Sequence, residues 1–145
     1  MLKVFCGNDT VKVRQTAFEF IGKLEANGVT VTYVDGDNFV SGVLNDSAGA
    51  SSLFGGEELF VLDTPSGKKE FDEEVKDSLE ALAESPNTFV VIEENLLAAP
   101  KKQYQKYAES LEEFKGGSSL NSQIPWMEKN LTSYIEKLVG VSDII

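Results

Sequence analysis

Four short apolar runs in this chain end in acidic turns, and those turns hold the residues best suited to chemistry. Gly7-Asn8-Asp9 follows residues 2–6, Asp35-Gly36-Asp37 follows residues 29–34, Asp63-Thr64 follows residues 58–62, and Glu93-Glu94-Asn95 closes residues 88–93. In open parallel sheets, ligands sit beyond the carboxyl ends of the strands, so three chemistries must be weighed at these turns. The first is nucleotide hydrolysis. A phosphate-binding loop that began at Gly7 would need a glycine, a lysine and a Ser or Thr at positions 12, 13 and 14. Lys12, Val13 and Arg14 stand there, so all three requirements fail. The second is phosphoryl acceptance by Asp63, with Asp9 as a metal ligand, as in a receiver-type signalling domain. Asn8 occupies the place where a second acid is needed, and no fifth strand with a terminal lysine can be read. The competing account is that these acids cap helices and solvate loops. The third is a metal pair at Asp35 and Asp37, but D-G-D is an ordinary turn. No catalytic residue, cofactor site or metal site is assigned, and no enzymatic activity is expected.

Composition closes other routes. The chain has no histidine and one cysteine, Cys6, which rules out a Cys/His zinc site, a histidine-based triad and an internal disulfide. Cys6 has no basic neighbour in sequence and reads as a packing residue. Thirteen Lys and Arg against 24 Asp and Glu give a formal charge of −11, a field that repels nucleic-acid phosphates. The densest basic stretch, Lys101, Lys102 and Lys106, is only a helix face, so direct nucleic-acid binding is not expected. The amino terminus runs straight into a strand pattern without a signal layout, and no apolar segment approaches ~20 residues. A cytoplasmic protein with no membrane contact is expected. At 145 residues and 41% apolar, the chain suits one domain with a single core.

The elements that would position these residues follow from periodicity. Residues 2–6 read as a buried strand, and Asp9 or Thr10 as the cap of a helix that buries Val13, Ala17, Phe20, Ile21 and Leu24. Asn27-Gly28 stops that helix, and residues 29–34 form a second strand. Phe39, Val40, Val43 and Leu44 mark a short helix, and residues 45–51 a loop. Residues 58–62 are the third strand. Residues 68–85 carry Phe71, Val75, Leu79 and Leu82 at helical spacing, with Pro86 as a stop. Residues 88–93 are the fourth strand. After Pro100 one helix places Tyr104, Tyr107, Ala108, Leu111 and Phe114 on one side. Alternating strands and helices imply a three-layer α/β fold with a parallel sheet and flanking helices. Gly116-Gly117-Ser118-Ser119 then has the composition of a linker, and a last amphipathic helix follows, started by Pro125 and ended by Gly140. Its Met127, Leu131, Tyr134, Ile135 and Leu138 face can pack on its own sheet or on a neighbouring copy, with Trp126 as an anchor. Two regions are therefore expected, an α/β domain over residues 1–115 and a linker with a terminal helix over residues 116–145.

One stretch stands apart. Ser52-Leu53-Phe54 puts two large apolar side chains beside Gly55-Gly56, just upstream of a strand that already has its own apolar residues. Leu53 and Phe54 can be read as a cap on the core. The sharper reading is an exposed apolar plug on a flexible stalk, aimed at a partner's pocket, with glycines lending the stalk its freedom.

The motifs V-F-C-G-N-D at residues 4–9, Y-V-D-G-D at residues 33–37, S-L-F-G-G-E-E-L-F-V-L at residues 52–62 and F-V-V-I-E-E-N at residues 89–95 occur in an order and spacing that resemble one family. It is the amino-terminal domain of the delta subunit of bacterial DNA polymerase III, the clamp-loader wrench, and the likeness covers about residues 1–115. The resemblance implies a fold similar to an AAA+ ATPase core whose nucleotide site has decayed. It implies a non-catalytic role in DNA replication, binding and helping to open the sliding clamp (the beta subunit). Leu53 and Phe54 would be the inserted residues, with Ser52 shaping their loop. Other clamp-loader subunits are further candidate partners. The residues after Gly116 match nothing in that family. The competing reading is a phospho-acceptor domain with Asp63 as acceptor.

Overall fold

The computed structural model describes residues 1–49 and 57–116. Five strands, β1 (Leu2–Cys6), β2 (Thr30–Val34), β3 (Glu58–Asp63), β4 (Thr88–Ile92) and β5 (Ser110–Glu113), form one sheet in the order β2-β3-β4-β1-β5. Every pairing is parallel, with Phe5 opposite Ile92, Leu62 opposite Val91 and Val4 opposite Leu111. Strands alternate with helices along the chain, as a parallel sheet requires, because each return crossover needs a long connection. The three-layer α/β reading therefore holds.

The pleat sorts the strand side chains onto two faces. Leu2, Val4, Cys6, Phe60, Leu62, Phe89 and Val91 point to one face, and Phe5, Leu59, Val61, Val90 and Ile92 to the other. The second face is covered by α1 (Thr10–Ala26), whose Val13, Ala17 and Ile21 are buried and whose Phe20 and Leu24 pack at its margin. Asp9 caps this helix, accepting the Lys12 N–H at 3.2 Å. The first face is covered by α2 (Val43–Ala48), α3 (Lys69–Asp77), α4 (Leu79–Glu84) and α5 (Ala98–Tyr107), which contribute Leu44, Phe71, Val75, Leu79, Leu82 and Tyr104. Burying each such side chain is worth about 1.5–3 kcal/mol, so the two faces together provide the main drive to fold. β4 is central and buried throughout, whereas β2 at the edge buries only Val34. Met1–Phe114 form one compact unit.

Three expectations change. The pattern over residues 68–85 is two helices, interrupted at Ser78, whose N–H is shared between the carbonyls of Glu74 (3.0 Å) and Val75 (3.1 Å). Their common face is intact, since Phe71, Val75, Leu79 and Leu82 are all buried. Serine is a weak helix interior residue because its hydroxyl competes for the backbone, and it falls where the break occurs. Next, α2 extends across residues read as loop. Its amino end is held from far away in sequence, by the Glu74 carboxylate accepting from Gly42 N–H (2.7 Å) and Leu44 N–H (3.1 Å). Phe39 sits before that helix and stacks on Phe71 at 4.9 Å, while Val40 is exposed.

The third change is at the carboxyl end of the unit. Helix α5 stops at Tyr107, and Leu111 and Phe114 are not on it. The chain instead adds the fifth strand, which the sequence pattern hides. S-L-E-E is polar because β5 is an edge strand, half-exposed along its length. Its identity comes from pairing: Glu109 N–H donates to Leu2 O and Phe114 N–H to Cys6 O, both at 2.8 Å.

Candidate functional site

The sheet has two poles, and the residues singled out above divide between them. At the carboxyl pole lie the four acidic turns. The turn from β1 to α1 is closed by backbone from the end of β5. Gly7 has φ +137°, and a Cβ built there would meet the Phe114 carbonyl oxygen at 2.0 Å. Phe114 O accepts the Asp9 N–H at 3.1 Å, and the Asp9 carboxylate accepts the Lys12 N–H. Amide donors at a helix start are what a phosphate loop offers its ligand, and two of those at this turn, Asp9 N–H and Lys12 N–H, are engaged within the chain. Of the three positions a phosphate loop would use, Val13 is buried in the core beneath α1. The Arg14 guanidinium makes two hydrogen bonds to Asp63, at 3.1 and 2.8 Å, each nitrogen to its own carboxylate oxygen. That hydrogen bond raises the Arg14 pKa still further above its ordinary range.

The same pair removes the phospho-acceptor reading of Asp63. Its carboxylate is held by Arg14, and the strand order argues independently against it. Receiver-type sheets run 2-1-3-4-5, which places β1 beside β3. Here β4 lies between them, so Asp9 and Asp63 do not share a cleft as acceptor and metal ligand would. At the remaining turns, Asp35 accepts the N–H groups of Asp37 (2.9 Å) and Asn38 (3.0 Å), the geometry of a turn rather than a ligand pair. Glu93 is buried, with 1% exposure, and accepts from Ser66 N–H (3.1 Å) and Ser66 Oγ–H (2.8 Å). Burial pushes its carboxyl above the usual range, and the Ser66 bonds act against that shift. Sequence reading placed Glu93 at the end of the fourth strand but could not find its Ser66 partner, which is distant in the chain. Cys6 is fully buried, and burial, then the Glu113 carboxylate, push its thiol up to about 11, which makes it inert packing.

At the amino pole β3 begins, and Ser52, Leu53 and Phe54 precede it in sequence. Those three residues lie outside the described residues, as does the terminal helix read over residues 125–139. The structure does describe both ends of that segment and ties them to one turn. Asn87, 2% exposed, donates from Nδ2 to Ser47 O (3.0 Å) and accepts at Oδ1 from Glu58 N–H (3.2 Å). Ser85 Oγ donates to Ala48 O at 2.7 Å, and Thr88 Oγ1 donates to the Glu57 carboxylate. The turn is further held by the Met1 ammonium, which donates to Ser85 O (2.8 Å) and Asn87 O (2.9 Å). None of Ser85, Asn87 and Thr88 was singled out from sequence, where S-P-N-T is an ordinary stop between a helix and a strand.

Fold and poles together define a three-layer α/β domain with a five-stranded parallel sheet, in which the turn from β1 to α1 is closed by backbone of its own chain. No protein family profile matches the chain, and no curated protein matches it. Among solved structures, the Bacillus subtilis DNA clamp loader delta protein (YqeN) is similar, with a TM-score of 0.54 and 18% sequence identity. The match covers 77% of this chain and 38% of that one, so this chain spans well under half of that protein's length. At this identity the likeness is one of fold. No helix among the described residues is long and apolar enough to cross a membrane.

Proposed function

We propose that this chain is a clamp-loader delta-like domain that binds the DNA polymerase sliding clamp through Leu53 and Phe54, with Ser52 shaping their loop. The observation that carries the reading is the coincidence of two independent likenesses. The fold resembles a clamp loader delta protein over most of the chain, and S-L-F stands a few residues upstream of the third strand, where the motif resemblance puts the inserted residues. The reading is non-catalytic and cytoplasmic. In this reading the α/β domain, residues 1–115, carries the binding element, and residues 116–145, which the sequence pattern suits to a linker and a terminal helix, are a candidate for self-association. Other clamp-loader subunits are secondary partners.

Mechanistically, two apolar side chains inserted near a subunit interface stabilise whichever clamp conformation fits them and so shift a closed ring toward open. Burial of a Leu and a Phe supplies about 1.5–3 kcal/mol each, enough to bias a strained interface but not to break a large one. The test is direct binding of the purified chain to the sliding clamp of its own organism, measured by calorimetry. Saturable binding is expected. Absence of binding at high micromolar concentration would sink the proposal.

A further inference from the structure

We propose that the outer edge of β2 is a self-pairing surface, on which a second copy of this chain lays its own β2 antiparallel to form one continuous sheet. The inference does not depend on the clamp reading. It starts from which backbone groups of β2 face outward. On β3, Glu58 N–H is turned toward β4, where it meets Asn87 Oδ1 at 3.2 Å, and Thr64 N–H likewise meets Ile92 O at 2.8 Å. Peptide groups alternate in direction along a strand, so Leu59, Val61 and Asp63 turn theirs toward β2. With Val31 beside Leu59 and Tyr33 beside Val61, the ladder to β3 is made by Thr30, Thr32 and Val34. Val31 and Tyr33 therefore turn their N–H and C=O groups outward. In agreement, Tyr33 O accepts from Nδ2 of Asn38, in the turn after β2, at 2.9 Å.

These outward groups are complementary to themselves. With a two-fold axis between Val31 and Val31 of a second copy, each Val31 N–H donates to the other Val31 O. Each Tyr33 N–H then meets Val29 O of the second copy. The groups that would complete this outer pair are already used within the chain, Val29 N–H by Leu24 O (3.1 Å) and Tyr33 O by Asn38. The pairing thus takes up outward groups and releases none that is engaged. Side chains match in the same register: Val29 stands opposite Tyr33 on the face that α1 covers, and Thr30 opposite Thr32 on the other. β-Branched against aromatic and Thr against Thr both stabilise antiparallel ladders. Tyr33 and Phe18, 46% and 40% exposed with rings 6.4 Å apart, are the apolar patch beside this edge. Charge selects the same edge. Residues 26–34 carry none, in a chain of net charge −11, and an edge of β-branched and aromatic residues without charge or proline is a template for pairing. The opposite edge, β5, carries Glu112 and Glu113, charges of the kind that blunt an edge. One strand pair is a small interface, so the dimer is transient.

Sedimentation velocity of the full chain over about a hundredfold range of concentration should show a reversible shift from monomer toward dimer. Amide exchange should slow at least about threefold at Val31 and Tyr33 from the dilute to the concentrated end, with Val90 in β4 unchanged. Two variants test the register. Thr30→Lys/Thr32→Lys sets lysine against lysine across the axis, whereas Thr30→Lys/Thr32→Glu sets lysine against glutamate. Both threonines are exposed, so both variants should fold, which circular dichroism checks. The first should stay monomeric across the range and the second should dimerise at least as well as the parent chain. The lysine variant also has less net negative charge, so overall repulsion cannot account for its monomeric state. A parent chain that is monomeric throughout overturns the proposal. So does a lysine variant that dimerises like the parent, which would move the contact to another surface, such as residues 116–145. Loss of the dimer in both variants overturns the register about Val31 and the proposal with it. Should a variant not fold, exchange in the parent chain decides: no slowing at Val31 and Tyr33 contradicts the pairing.

Discussion

Glu93 carries the least comfortable charge among the described residues. Its carboxylate has almost no contact with water and is satisfied by one serine, while Asp72 adds repulsion and Lys76 attraction. The Tyr104 ring, also buried near it, leaves its hydroxyl without a hydrogen-bond partner among the described residues. Because burial raises the Glu93 pKa in the folded state, the native protein binds more protons than the unfolded chain across the interval between the ordinary and raised values. Stability attributable to this group is therefore complete at low pH and is lost as pH rises through the folded-state pKa. Glu93→Gln keeps the shape and abolishes the charge, so it should remove that slope. In urea denaturation between about pH 4 and pH 8, the variant should gain stability relative to the parent as pH rises. A difference that is flat with pH would show that Glu93 keeps its ordinary pKa. By contrast, Arg14–Asp63 is an ion pair with side chains 37% and 26% exposed, so despite its two-pronged geometry it contributes modestly.

Among the elements, the junction of β1, α1 and β5 is the tightest. Gly7 combines a positive φ with a backbone neighbour that a side chain would overlap, and the neighbour is a carbonyl rather than a movable side chain. Gly7→Ala should therefore destabilise the domain by roughly 3 kcal/mol or more, through strain and displacement of β5 together. Equilibrium unfolding measures this directly, and a loss under about 0.5 kcal/mol would mean that β5 is not held against the turn. This junction also explains what could be read from sequence. β1, β3 and β4 were legible because buried parallel strands are continuous apolar runs, and α1 because Val13, Ala17 and Ile21 keep helical period. β5 was not, since an edge strand with S-L-E-E has neither signature and exists through its pairing with β1. The helix α2 was misplaced for a related reason: its amino end depends on Glu74, a residue in another helix. The clip at Asn87 was likewise invisible, because it depends on Ser47 and Glu58, partners that local pattern does not include, whereas the break at Ser78 was hidden by an apolar period that runs unbroken across it. The Asp63–Arg14 pair shows the converse. Both residues were noticed separately, Asp63 as a candidate acceptor and Arg14 as a misfit in a phosphate loop, but not as partners of each other.

At the scale of the whole molecule, the two poles of the sheet have different fates. The carboxyl pole, where open parallel sheets place their ligands, has its first turn engaged within the chain: Phe114 backbone over Gly7, the Asp9 cap, and Arg14 committed to Asp63. Millimolar ATP with Mg²⁺ should accordingly leave the thermal melting temperature unchanged, and a saturable upward shift would contradict this account. At the amino pole the residues flanking the segment that bears Leu53 and Phe54 are fastened to one turn, and the proposed function rests on that segment. The most direct test of it pairs two measurements on Leu53→Ala/Phe54→Ala. If the side chains serve a partner and not the core, folding stability should change by no more than about 0.5 kcal/mol, as at surface sites. Clamp affinity should fall by at least about 2 kcal/mol, the usual cost of truncating a central anchor. A double variant that unfolds, or one that binds the clamp as tightly as the parent chain, would contradict the proposal and return Leu53 and Phe54 to the core.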